Sequence, residues 1–241
     1  MGIATITPAR LAMIFAVTLL NTSASAQTQT VDIPSRAPSP GQATLPQAYR
    51  AEGYGRARFG MSVDEVKALA ATDYPGAAQA LKDETDPLAR TRTLTLDIPA
   101  LTPGPGAAAI SYVFGASSHR LIAVNVIWLV SGKASKAQQV QLIHAAAKLA
   151  SGFVAYQWPL FGTTYGKVLF PGVSVVFAGH DNAGGGVEVR LEGVAAATSS
   201  DNASVSNPAH KALPPGPASL RLTLVANSDH PDIYRIPAGA F

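Results

Sequence analysis

No cysteine occurs in the 241 residues. That excludes disulfide staples, a lipid-carrying cysteine, a thiolate metal site and a cysteine nucleophile, so stability has to come from packing. Charge is scarce as well. Lys, Arg, Asp and Glu make up 14% of the chain, and the formal net charge is only +3. Nucleic-acid binding needs dense, clustered basic residues, so none is expected. No run approaches the roughly 20 apolar residues of a membrane-crossing helix. The signatures G-x-S-x-G, H-E-x-x-H, S-x-x-K, the Gly-rich phosphate loop and the dinucleotide fingerprint are all missing. These absences weigh against the common hydrolases and nucleotide enzymes, and they imply no cofactor.

What is present begins with an export signal. Arg10 supplies a positive charge, residues 11–20 a short apolar core, and Ala24-Ser25-Ala26 an A-x-A cleavage site. Residues 1–26 are therefore expected to be a signal peptide, with no transmembrane segment left after cleavage and a periplasmic or secreted destination. Residues 27–50 carry Pro34, Pro38, Pro40 and Pro46 among small polar side chains, which predicts a disordered Pro-rich arm. Residues 51–241 are then the folded part, with a low-complexity insertion near 195–219.

The organising stretch is 108–150. Ile110, Tyr112 and Phe114 alternate with Ala109, Ser111 and Val113 in a strand period of two. After the polar turn 115–119, residues 120–130 (R-L-I-A-V-N-V-I-W-L-V) run nearly apolar on both faces, which predicts a central strand. Residues 136–150 follow a helical pattern. Val140, Ile143 and Ala147 line one side and Leu142, Ala146 and Leu149 lie adjacent, a broad apolar face suited to covering a sheet. Ser135 and Gln138 form a capping box for this helix. Ser62 and Glu65 form another for a helix over 63–71, with Met61 and Val66 as a hydrophobic staple. Residues 91–98, 168–178, 187–191 and 220–224 read as further strands, and 82–90 as a charged loop. The expected fold is α+β: an antiparallel sheet of about six strands with two helices packed on it.

Three groups of side chains are candidates for function. Tyr156 and Trp158 lie in an aromatic-rich stretch (153–161) that serves either as a binding surface or as a core plug. Arg56 and Arg58, joined by Arg50, Arg90 and Arg92, are candidates for a positive patch toward a partner. His180-Asp181 and Asp229-His230-Pro231-Asp232 fall in two loops; meeting at one sheet end, His180, Asp181, His230 and Asp232 would make a nitrogen/oxygen metal site. The plain alternative is that Asp, Asn, Gly and Pro are what turns use.

Phe59-Gly60-Met61-Ser62-Val63-Asp64-Glu65-Val66 resembles the G-M-[ST]-x-x-[DE]-V opening of small exported α+β domains. The β-lactamase inhibitory protein family and the SmpA/OmlA outer-membrane lipoprotein family share it. The resemblance implies helices packed on an antiparallel sheet and a protein-binding or assembly module rather than an enzyme. The inhibitor family repeats its unit; here residues 161–168 echo 59–66 without the acidic pair, which reads as an echo and not a repeat. The leading expectation is thus a non-catalytic module binding another envelope protein, and it requires an exposed apolar or aromatic patch near Tyr156 and Trp158. The alternatives are a metal- or carboxylate-dependent hydrolase of an envelope substrate at the His/Asp loops, and a carrier holding a small apolar ligand in an enclosed pocket.

Overall fold

Both long helices start at the two capping boxes. A computed structural model describes residues 46–194 and 216–235. Helix α1 (Val63–Asp73) opens with Ser62 N–H donating to Glu65 Oε2 at 2.7 Å and Glu65 N–H donating back to Ser62 Oγ at 3.3 Å. After the one-turn helix α2 (Pro75–Ala78), helix α3 (Lys136–Val154) opens the same way, Ser135 N–H reaching Gln138 Oε1 at 2.9 Å. Each box satisfies first-turn donors that would otherwise have no partner.

The strands are β1 (Gly53–Tyr54), β2 (Ala57–Arg58), β3 (Lys82–Thr85), β4 (Arg92–Ile98), β5 (Ala108–Phe114), β6 (Leu121–Val130), β7 (Thr163–Phe170), β8 (Val173–His180), β9 (Gly186–Glu192) and β10 (Ala218–Val225). Strands β1 and β2 form a small hairpin of their own. The other eight form one antiparallel sheet in the order β3-β4-β5-β6-β10-β9-β8-β7. The class is α+β with a mainly antiparallel sheet, but the sheet has eight strands rather than about six. The additional strands come from places where alternation is weak. Lys82–Thr85, read as charged loop, pairs with β4 as an exposed edge, and 163–180 resolves into the β7–β8 hairpin.

The strand order exposes a repeat. Helix α1 (with α2) is followed by the meander β3 to β6, and α3 by the meander β7 to β10; the two meanders join through β6 and β10. The chain is therefore two α-plus-four-strand halves sharing one sheet. The topological repeat begins at Ser62 and Ser135, not at the echo over 161–168. What the halves share is a cap and a topology, while their side chains differ.

Register builds the core in rows across the sheet. Leu96, Ile110, Val126, Leu222 and Val189 lie side by side, with Leu94, Tyr112, Val124, Leu224 and Val187 next to them. All ten are buried, and the same cluster takes Val66 and Ala70 from α1 and Leu142, Ala145, Ala146 and Ala150 from α3. Each buried large aliphatic or aromatic side chain contributes about 1.5–3 kcal/mol. Helix α3 packs on β8, β9 and β10. It buries only half of the broad face expected of it, because Val140, Ile143 and Ala147 point to solvent. Strand β6 does occupy the sheet centre. The reason is its row of core residues on one face plus small or polar Ala123 and Asn125 on the other, with helices on one side only among the described residues. That opposite face carries polar pairs beside Ile127 and Leu129: Thr95 Oγ1 and Ser111 Oγ lie 3.0 Å apart, and Thr223 Oγ1 donates to Asn125 Oδ1 at 2.9 Å.

Among the described residues no helix is long and apolar enough to cross a membrane. The ordered packing starts ahead of residue 51, since Tyr49 N–H donates to Gln157 O and Gln157 N–H to Gln47 O. Most of the expected arm (27–45), the insertion over 195–215 and the last residues 236–241 lie outside the described residues.

Candidate functional site

The two edges of the sheet are unlike. Strand β3 is four residues long and covered in charge. Asp83 is held by Arg92 (2.6 Å) and Lys67 (3.0 Å), and Lys82 by Asp97 (2.6 Å). The Arg92 hydrogen bonds come first in holding the Asp83 carboxyl well below the usual carboxylate range, despite some opposing desolvation. A short, charged edge is how sheets avoid pairing with other chains. Strand β7 is eight residues long, exposed from Thr164 to Phe170, and carries a single charge, Lys167. Tyr165 is 55% and Phe170 58% exposed, and in the preceding turn Leu160 is 84% and Phe161 90% exposed.

This edge stands on a rigid aromatic base. Trp158 stacks on Tyr49 with ring centroids 4.4 Å apart and donates its Nε1–H to Phe153 O at 2.9 Å. Phe177, fully buried, meets Phe153, Trp158 and Tyr165 at 5.3–5.8 Å. Gly179 lets the indole lie against the backbone: a Cβ there would come within 2.5 Å of the Trp158 ring. The turn that follows closes with Gly162 N–H donating to Pro159 O at 2.9 Å, and it sets Phe161 at φ +62. A bulky side chain in the left-handed region is strained. Burial offers no compensation for a ring that is 90% exposed.

The residues singled out from sequence divide accordingly. Trp158 is part of the plug, half-buried, and Tyr156 sits at its rim, 5.3 Å from Tyr49. The arginines do not gather. Arg56 is paired with Asp73, Arg58 donates to Gly55 O at 2.6 Å, Arg92 is on Asp83, and the Arg90 guanidinium lies 3.7 Å over the Tyr234 ring. Leu160 and Phe161 end the 153–161 stretch expected to be either surface or plug, while sequence reading missed Tyr165, Val168 and Phe170. A signal was there: between Lys148 and Asp181 the only Lys, Arg, Asp or Glu is Lys167.

The two His/Asp loops do share one end of the sheet, where Ser228 N–H donates to Gly184 O at 2.7 Å. Their carboxylates are occupied separately. Asp181, 6% exposed, accepts from Ala51 N–H (2.8 Å), Ala183 N–H (2.8 Å) and Gly185 N–H (2.9 Å). The 180–186 loop is thus organised around one carboxylate rather than loose. Asp232 accepts from Ser117 N–H (3.0 Å) and Ser118 N–H (2.8 Å), and the Ser118 side chain comes first in lowering its pKa. His180 and His230 are exposed. Among the described residues no three His, Asp or Glu side chains form a group that could hold a metal ion, so the four-residue site expected from sequence is not assembled. A depression beside α3, about 440 Å³ and lined by Tyr49, Pro103, Leu149 and Phe153, is open to solvent rather than enclosed.

Compared with protein-family models, curated proteins and solved structures, the chain matches none. The class is therefore defined by the fold: an α+β protein of two helix-plus-four-strand halves on one antiparallel sheet, with one charged edge and one apolar edge.

Proposed function

We propose that this protein is a non-catalytic protein-binding or assembly module of the bacterial envelope, working in the periplasm and docking through the β7 edge. One observation carries the reading: Leu160, Phe161, Tyr165, Val168 and Phe170 are all exposed along the charge-poor β7 edge and the turn before it, a few residues from Tyr156 and Trp158. Aromatic enrichment with charge depletion is the composition of an interface core. An exposed apolar strand edge is otherwise a liability for a chain that stays alone. The export signal over 1–26 supports the compartment. Helices packed on an antiparallel sheet are also what the resemblance of residues 59–66 to the inhibitor and lipoprotein families implies.

The test is co-purification from the cell envelope after mild crosslinking, comparing the wild-type chain with Phe161→Asp. Both should have the same circular dichroism, because Phe161 is exposed. Proteins that crosslink to the wild type should disappear from the variant. Equal recovery with both chains would reject the β7 edge as the docking surface.

A further inference from the structure

We propose that the partner of the β7 edge is a second copy of this chain, the two β7 strands pairing antiparallel so that two sheets continue into one. This rests on the docking reading above and adds the identity of the partner. Four features of the edge point to self-pairing.

First, β7 presents its outward backbone N–H and C=O groups over eight residues, with no strand beyond it among the described residues. Such a row is a template for another strand. Second, two copies can pair without opposing like charges. Lys167 is the one charged residue of β7, so only a twofold axis at Lys167 would set two ammonium groups face to face.

Third, the opposite edge limits the assembly. Adding β7 of one copy to β3 of the next would place Tyr165 and Phe170 against Lys82, Asp83 and Glu84, and would desolvate their ion pairs. Head-to-tail growth is disfavoured, and an isologous pair closes at two. Fourth, the exposed apolar area is of the order that a pair needs. Aromatic side chains offer about 150–250 Å² each. Three of them, mostly exposed, with Leu160 and Val168, come to several hundred Å² per copy, on the order of the roughly 800 Å² that each partner of a stable pair covers.

The experiment is sedimentation equilibrium of the full chain over a dilution series, repeated for Val168→Lys. Val168 is exposed, so its variant should fold. Because the native chain has no cysteine, Lys167→Cys and Glu84→Cys give single-site probes for a short thiol-to-thiol crosslinker. Self-pairing requires a concentration-dependent dimer, dissociation at least tenfold easier in Val168→Lys, and covalent dimers from Lys167→Cys but not from Glu84→Cys. A chain that stays monomeric throughout, or a dimer indifferent to Val168→Lys, overturns it. If the monomer still captures a different envelope protein and Val168→Lys abolishes that capture, self-pairing fails while the docking surface stands. If neither association nor capture responds, both readings fall together.

Discussion

Phe161 sits at φ +62 with 90% of its surface exposed, so Phe161→Asn separates backbone strain from contact. An ordinary L-residue in the left-handed region costs about 1–2 kcal/mol. Asparagine tolerates that region far better. Burial of a Phe side chain is worth about 1.5–3 kcal/mol when complete, so the tenth of Phe161 that is covered contributes a few tenths. The substitution should therefore stabilise the folded chain by roughly 1 kcal/mol, or about 2–4 °C in Tm for a domain of this size. Phe161→Gly should be nearly neutral, because relief of strain is offset by about 0.5–1 kcal/mol of extra backbone freedom in the unfolded chain. Phe177→Ala, which empties a fully buried site in the same cluster, should cost about 3–5 kcal/mol. The assay is urea unfolding followed by tryptophan fluorescence, at a protein concentration low enough to keep any self-association out. A loss of 1 kcal/mol or more in Phe161→Asn would mean the ring packs intramolecularly. The argument that it is displayed for a partner would then be refuted.

Asp181→Ala strips three backbone N–H groups of their acceptor and should destabilise by about 2–4 kcal/mol, with Asp181→Asn milder; denaturant midpoints would show it, and proteolysis near residue 51 should rise first. The Asp83 and Asp232 carboxyls are both held below their ordinary value of 3.8, so their stabilisation is complete above that pH and is lost as pH falls below it. Acid titration should show this loss, with a smaller slope in Asp83→Asn; an unchanged slope would dismiss the Asp83 pairs as contributors. Tyr54 is pushed up to about 12 by burial and then by Tyr74, while Tyr49 and Tyr112 are raised mainly by burial. Their unfolded forms ionise near 10.0, so stability is intact below that pH and lost as pH rises through the folded values. Near-ultraviolet absorbance should show these tyrosines ionising together with alkaline unfolding. Gly179→Ala forces a methyl group into the Trp158 ring and should loosen the aromatic base, seen as a red-shifted, weaker tryptophan emission.

Local signals carried well into the fold. Both capping boxes were readable because the reciprocal bonds link residues three apart, and alternation marked β4, β5, β9 and most of β10 because each buries one face. The failures have physical causes. Strand β3 was hidden because its four residues are exposed on both faces, so no alternation exists to be read. The repeat was hidden because the halves share a cap and a strand order and fill the core with different side chains. Helix α3 was apolar over too wide an arc for its sequence to say which part would be covered; packing on β8, β9 and β10 chose Leu142, Ala146 and Ala150.

The candidate site divides along the same line. Turn chemistry in the His/Asp loops was legible, since Asp181 and Asp232 do what short acidic side chains do beside free backbone N–H groups. The aromatic stretch at 153–161 was legible as either plug or surface. Only the tertiary structure divided it, placing Trp158 inward on Tyr49 and Phe161 outward on a strained turn. By itself the sequence determined what depends on neighbours along the chain: caps, strand periods and the absence of a disulfide or a catalytic motif. Which strand ends the sheet depends on pairings between residues far apart, such as β6 with β10. That pairing sends β7 to the margin and makes an apolar strand an edge.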